Sequence, residues 1–205
     1  MMNLEQIILA IPAILLAISV HEYGHAYVAY KLGDPTPKYQ GRLSLNPLAH
    51  LDPLGTIMLL LFRVGWARPV MINSQYFKNK KQGTILVSLA GPLANMITAW
   101  IFYNLVSVFG NYMLGSGTGQ SLLMFLFINV QMNLGLAAFN LIPIPPLDGS
   151  HILAGLLPRR LAFQYAKFAP YGPFVLIALL ILGGTRYLIN PIFNVLFRIL
   201  DGLSF

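Results

Sequence analysis

Long apolar runs constrain this fold more than any other feature of the sequence. Residues 4–29, 84–109 and 121–142 are each long enough to cross a bilayer, which takes about 20 residues of helix. Two shorter runs, 172–183 and 189–200, would form halves of a broken helix or a helical hairpin. Hydrophobic residues make up 57% of the chain and charged residues 9%, against about 45–50% and 25% in soluble domains. Because so few charges cannot cover a soluble surface, the sequence predicts an all-α membrane protein, a multi-pass helical bundle of about four to six membrane segments.

The connection after the first run is predicted to be the least regular part of the fold. Residues 54–62 are apolar but too short to cross a bilayer straight, which favours a re-entrant loop or a kinked crossing. Residues 40–46 alternate apolar and polar side chains in the manner of a strand. We therefore expect a small β-hairpin or re-entrant loop after the first helix, within a single domain that covers residues 1–205.

Charged residues lie between the apolar runs and predict the orientation of the chain. Most of the 13 Lys and Arg residues fall in 31–82 or 158–167, whereas 110–118 carries no charge. By the positive-inside rule, the two basic connections face the cytoplasm. The net charge of +7 is therefore expected to meet anionic lipid and not nucleic acid. The absence of cysteine excludes disulfides, thiolate metal ligands and cysteine nucleophiles.

An H-E-x-x-H motif occupies residues 21–25, near the end of the first run. Because residues i and i+4 lie on one face of a helix, the imidazoles of His21 and His25 can reach one metal ion. Glu22 can then take a proton from a metal-bound water, the role that this motif gives it in metalloproteases. The alternative is a set of polar side chains that snorkel to the interface at a helix end. Ionisable groups inside a membrane are costly and mark functional sites, which favours the metal site.

A catalytic zinc usually takes three protein ligands, and Asp148 is the strongest candidate for the third. It lies in residues 140–149, where three prolines break the helix at membrane depth. Exposed backbone at that depth is tolerated only inside protein or beside water. The Asp148 carboxylate is therefore expected to face an internal cavity. The alternative is that Asp148 caps the helix that starts near Gly149.

Taken together, these motifs resemble the site-2 proteases, intramembrane zinc metalloproteases of peptidase family M50. The resemblance rests on the H-E-x-x-H motif, on G-R-L-S-L-N-P at 41–47, on A-G-P-L-A-N at 90–95 and on N-x-x-P-x-P-x-L-D-G at 140–149. It implies Zn²⁺ as the cofactor, with His21, His25 and Asp148 as its ligands. It also implies Glu22 as the general base and Asn140 as a polar group near the substrate backbone or the oxyanion. Many family members carry a PDZ domain or another accessory domain, and this chain resembles a compact form without one.

The function implied by the resemblance is an intramembrane zinc endopeptidase that cuts within or near transmembrane segments, as in regulated intramembrane proteolysis. The expected substrates are single-span membrane proteins or signal-peptide remnants. We expect a multi-pass protein of a bacterial or archaeal cell membrane, with its active site open to the cytoplasm. Residues 40–46 would be either an edge for an extended substrate or a plain surface hairpin.

The alternative function is a non-proteolytic metal-binding membrane protein, either a transporter or a scaffold. A transporter is expected to carry several intramembrane carboxylates or inverted repeats, which the sequence does not display, and a scaffold needs no general base. Three further residues leave their roles open. His50 and Asp52 would orient a zinc ligand, gate access or form a turn, and His151 would face the site or point away from it.

Overall fold

The structure, a computed structural model, describes residues 4–52, 54–55 and 68–204. These residues are mostly helical. In chain order the α-helices are α1 (Leu4–Lys31), α2 (Thr36–Tyr39), α3 (Lys80–Met113), α4 (Gly117–Asn140), α5 (Asp148–Leu156), α6 (Arg159–Phe168), α7 (Gly172–Ile181) and α8 (Thr185–Gly202).

Among the described residues, four helical segments are long and apolar enough to cross a membrane. They are Leu4–Lys31, Lys80–Met113, Gly117–Asn140 and Arg159–Ile181. The last segment joins α6 and α7 through a short 3₁₀ turn, so the run expected at 172–183 is the second half of a longer helical segment. A turn at Gly183, with φ of +69°, leads directly into α8. The chain is a multi-pass membrane protein, as the apolar runs predict.

The centre of the bundle is formed by α1, α3 and α4, which pack against one another. Small residues allow this close approach, as is typical of helices in membranes. A Cβ at Gly24 of α1 would stand 2.7 Å from the carbonyl oxygen of Ala90 of α3, so the two backbones touch at that point. One apolar core cluster forms where α8 packs against α3 and α4; there Leu134 of α4 and Leu200 of α8 are almost fully buried.

The prediction of a β-hairpin after the first helix is wrong for the part of the loop that the structure describes. Residues 40–46 form no strand, and their side chains do not alternate between buried and exposed. Arg42 is only 4% exposed, whereas Leu45 is 54% exposed. The Arg42 guanidinium turns inward and donates to the carbonyl oxygens of Ala49 and Arg68. Its burial, reinforced by the charge of Arg68, lowers the pKa of Arg42. Those carbonyl contacts outweigh the local alternation, so 40–46 offers no regular edge for a substrate.

The predicted re-entrant stretch at 54–62 lies outside the described residues, apart from its first two positions. The chain is described again from Arg68, whose backbone N–H donates to the carbonyl of His50 at 2.8 Å. From there, residues 68–73 continue without helical structure past Glu22 of α1 to Asp34 after its end. We call residues 68–73 the return segment. It connects the loop with the start of α3.

Two carboxylates hold the return segment in place, one in α1 and one in the turn that follows α1. The backbone N–H of Val70 donates to Glu22 Oε2 at 3.1 Å. The backbone N–H of Asn73 donates to Asp34 Oδ2 at 2.6 Å, and Asp34 Oδ1 accepts from the N–H of Thr36 at 2.9 Å. Asp34 is fully buried, so it ties the end of α1 to the return segment.

We expect Asp34→Ala to lower the melting temperature of the detergent-purified protein, because two partly buried backbone N–H groups lose their acceptor. The expected loss is about 1–3 kcal/mol of unfolding free energy, the cost of leaving one buried donor without a partner, since water can reach part of this site. Asp34→Asn keeps one acceptor oxygen and should fall between Asp34→Ala and the wild type. Equal melting of Asp34→Ala and the wild type would show that this anchor contributes nothing to stability.

Candidate metal centre

The histidines of the H-E-x-x-H motif lie one turn apart on α1 and are both buried. Their Nε2 atoms are 3.1 Å apart. Asp148, the first residue of α5, reaches both of them: its Oδ2 lies 3.2 Å from His21 Nε2 and 3.3 Å from His25 Nε2. One ligand atom from each of the three residues lies within 4.8 Å of the others. The structure therefore brings together the three residues that the resemblance implies as ligands.

Asp148 reaches this position because the chain breaks between α4 and α5, as the prolines predict. The helix α4 ends at Asn140 and α5 begins at Asp148. The alternative role of Asp148, as the cap of α5, is not the one observed. Leu147 occupies the cap position without a side-chain hydrogen bond, and the Asp148 carboxylate points to the histidines. Gly149 permits this turn, because a Cβ there would overlap the carbonyl oxygens of Leu141 and Ile142.

A hydrogen bond at Nδ1 determines which ring nitrogen of each histidine carries the proton. His21 Nδ1 lies 2.7 Å from Asn95 Oδ1, and His25 Nδ1 lies 2.7 Å from the carbonyl oxygen of Val87. A carbonyl oxygen only accepts, so each Nδ1 carries a proton and donates it. In the neutral imidazole the Nε2 atom then has a free lone pair. Both lone pairs are available at the face where Asp148 lies.

The donor set fits a zinc ion. Two Nε2 lone pairs and a carboxylate oxygen face one another at 3.1–3.3 Å, and Asp148 Oδ2 is buried without a hydrogen-bond donor. A proton satisfies one pair of these atoms, whereas a metal ion satisfies all three. Two histidines and one carboxylate are a known ligand set of catalytic zinc, which keeps its fourth position open.

Gly91 of α3 lies directly against the two imidazoles. A Cβ at this position would stand 2.5 Å from His25 Nε2 and 2.7 Å from His21 Cε1. These distances are far inside van der Waals contact. Only glycine therefore allows the backbone of α3 to form the wall of the metal centre.

Glu22 is next to His21 on α1 and is half-buried. One of its two carboxylate oxygens, Oε2, accepts the hydrogen bond from Val70 of the return segment. This bond holds one oxygen of the carboxylate and leaves Oε1 for another partner. The structure thus places Glu22 between the metal-binding face of α1 and the return segment.

Asn140 is the last residue of α4 and is half-buried. Its Nδ2 donates to the carbonyl oxygen of Leu136 in its own helix at 3.1 Å. Among the hydrogen bonds of the described residues, none joins the Asn140 amide to His21, His25 or Asp148. In this conformation, then, Asn140 is engaged by its helix and not by the metal centre.

The three residues with open roles belong to the loop or to the surface. His50 is fully buried, and its Nε2 lies 2.6 Å from the carbonyl oxygen of Ser44. Asp52 Oδ1 accepts from the N–H of Gly55 at 2.8 Å. His151 is exposed. His50 and Asp52 thus stabilise turns, and His151 lies at the surface.

The structure adds buried asparagines that the sequence analysis assigned no role. Asn95 of α3 and Asn129 and Asn133 of α4 are each fully buried, and Asn95 is bonded to His21. The sequence did contain a signal for them, because polar side chains in the middle of membrane-spanning runs are energetically costly and usually have a function. What the sequence did not reveal is which helix each amide would face.

Comparison with known families agrees with this geometry. The model of the family described as Peptidase family M50 matches residues 9–122 and 107–183, which include the whole centre. The chain belongs to peptidase family M50. Membership in M50 and the names of its relatives make it a zinc metalloprotease.

Relatives from bacteria and archaea support the M50 assignment. "Putative zinc metalloprotease YwhC" of Bacillus subtilis (strain 168) is 43% identical over 185 residues, which cover 88% of this chain and 84% of the relative. "Putative zinc metalloprotease Rip2" of Mycolicibacterium smegmatis is 30% identical over 180 residues, covering 85% and 67%. "Zinc metalloprotease MJ0392" of Methanocaldococcus jannaschii is 31% identical over 156 residues, covering 75% and 36%. No solved structure matches the chain.

Proposed function

We propose that this chain is an intramembrane endopeptidase that hydrolyses peptide bonds within or beside transmembrane segments of membrane-anchored substrates. The observation that carries the proposal is the buried group of His21, His25 and Asp148, which lies inside a bundle of membrane-spanning helices. A site at that depth is accessible to segments that lie in the membrane and not to peptides dissolved in water. We further propose that residues 1–205 act as one protease domain.

The catalytic roles follow from the chemistry of the side chains. His21, His25 and Asp148 would hold the ion through two Nε2 atoms and one carboxylate oxygen. A zinc ion held there would polarise the scissile carbonyl and would lower the pKa of a bound water to about 7. The Glu22 carboxylate accepts the proton of the attacking water at Oε1 while Val70 holds Oε2, and then passes it to the leaving amine.

Asn140 is proposed to bind the substrate backbone near the reacting carbonyl. Its amide can donate to a carbonyl oxygen and accept from a backbone N–H, which suits an extended peptide. The bond to Leu136 uses one of the two Nδ2 hydrogens, which leaves the second hydrogen and Oδ1 to contact a substrate.

The proposed site opens to the cytoplasm. His25 is six positions from the end of α1 at Lys31, and residues 31–82 carry eight of the 13 Lys and Arg residues, which favour the cytoplasmic side. The named relatives are bacterial or archaeal, which supports a place in the cell membrane of such an organism. Single-span proteins and signal-peptide remnants are the substrates that present a cleavable segment at this depth.

The test compares His21→Ala with the wild type in detergent or vesicles, using zinc content and cleavage of a panel of single-span membrane substrates. We expect about one zinc per wild-type chain with cleavage, and neither in His21→Ala. His151→Ala is the matched control, because this histidine is exposed and should be dispensable. Zinc binding by the wild type without cleavage of any substrate would favour the metal-binding scaffold or transporter. A zinc-free wild type would overturn the proposed centre.

A further inference from the structure

Two buried side-chain amides, those of Asn95 and Asn133, join the candidate metal centre to the rest of the bundle. Asn95 of α3 touches three groups: its Oδ1 contacts His21 Nδ1 at 2.7 Å, and its Nδ2 donates to the carbonyl of Ala17 and to Asn133 Oδ1, both at 2.9 Å. Asn133 Nδ2 then donates to the carbonyl of Asn129 at 2.9 Å. We call Asn95 and Asn133 the amide chain; it connects α1, α3 and α4.

The direction of each hydrogen bond in the amide chain is determined by its fixed acceptors. The Ala17 carbonyl can only accept, so Nδ2 of Asn95 must face it and Oδ1 must face His21. The Asn129 carbonyl fixes Asn133 in the same way, so Asn133 presents Oδ1 to Asn95. Neither amide can flip without placing two donors or two acceptors against each other. Asn95 Oδ1 is thus a permanent acceptor at the ring of His21.

We propose that Asn95 is a positioning residue of the metal centre, which keeps the proton of His21 on Nδ1 and directs the Nε2 lone pair to the metal. The proposal rests on the proposed function, because it takes His21 as a metal ligand. An imidazole without such a partner can protonate either nitrogen and rotate about its side-chain bonds. Partners of this kind typically contribute about 10–100-fold to metal affinity.

Asn133 has a different role from Asn95. It holds the amide of Asn95 but does not touch either histidine among the described contacts. Asn95 keeps its bond to Ala17 when Asn133 is removed, so its orientation toward His21 persists. Loss of Asn133 should therefore weaken helix packing without weakening the metal site. The difference in metal affinity between the two variants therefore distinguishes a positioning role from a contribution to helix packing alone.

The experiment measures zinc affinity and melting temperature of purified Asn95→Leu, Asn95→Asp and Asn133→Leu. Leucine branches at Cγ as asparagine does but has no polar atom, so Asn95→Leu should bind zinc about 10–100-fold more weakly. Asn133→Leu should lose thermal stability and keep the wild-type affinity. Aspartate keeps an acceptor oxygen for His21 Nδ1, and carboxylates commonly serve as such partners of metal-bound histidines, so Asn95→Asp should retain much of the affinity. Cobalt-substituted protein gives a second readout, because the visible spectrum should change in Asn95→Leu and not in Asn133→Leu.

A measurement on the wild type keeps the proposal testable if Asn95→Leu fails to fold. Nitrogen NMR of the ¹⁵N-histidine-labelled, zinc-loaded protein should show His21 bound through Nε2 and protonated at Nδ1. Coordination through Nδ1 would overturn the positioning role of Asn95. So would equal zinc affinity and equal cobalt spectra in Asn95→Leu and the wild type. Failure of the wild type itself to bind zinc would instead overturn the proposed function.

Discussion

Glu22→Gln is expected to abolish peptide cleavage while zinc binding stays at the wild-type level. Glutamine has the shape of glutamate, and its side-chain oxygen can still accept from the N–H of Val70. It cannot take a proton from water, and a general base of this kind contributes about 10²–10⁴-fold to rate. The three metal-binding candidates are untouched by the change. Zinc content and cleavage rate, measured on the same preparation, check the prediction.

The matched control for this variant is Glu5→Gln, the same substitution on the same helix. Glu5 is exposed near the opposite end of α1, where it accepts from the hydroxyl of Ser121. We expect Glu5→Gln to cleave at the wild-type rate. Undiminished cleavage by Glu22→Gln would remove Glu22 from the role of general base. Loss of zinc in Glu22→Gln would instead give Glu22 a part in holding the metal.

Gly91→Ala is expected to lose zinc and cleavage together. The added methyl group would stand 2.5 Å from His25 Nε2 and 2.7 Å from His21 Cε1, so either the rings or α3 must move. Alanine is the better helix former by about 1 kcal/mol, so α3 itself is not weakened. The displaced imidazoles can no longer reach Asp148 together. Metal analysis and the spectrum of the cobalt-substituted protein report this displacement directly.

Gly135→Ala is the control, since it makes the same change in the neighbouring helix α4. A Cβ at Gly135 meets no heavy atom within 4 Å, so this variant should bind zinc and cleave as the wild type does. Full zinc binding by Gly91→Ala would show that α3 can retreat from the histidines at little cost. It would also mean that the wall formed by Gly91 is not what holds the rings.

Local sequence patterns were sufficient to predict the long apolar helices and part of the candidate metal centre. The length of the apolar runs predicted the three spans at the centre of the bundle, because a helix must be about 20 residues long to cross the hydrocarbon. The same reasoning failed at 40–46, where alternation predicted a strand. Arg42 turns inward there to reach the carbonyls of Ala49 and Arg68, and Arg68 lies 26 residues further along the chain. Alternation over seven residues carries no information about a partner that distant.

The sequence alone determined which side chains could bind a metal. The spacing of His21 and His25 is a local property of any helix, and the prolines before Asp148 break the helix wherever it packs. Only the tertiary structure decided how the metal centre is enclosed. Gly91, Val87 and Asn95 come from α3, more than 60 positions beyond the histidines, and they face the rings because small residues let α1 and α3 pack closely. The physical reason is that ligand spacing is encoded within one or two turns of helix, whereas ring orientation and ring protonation depend on which neighbouring helix supplies the acceptor.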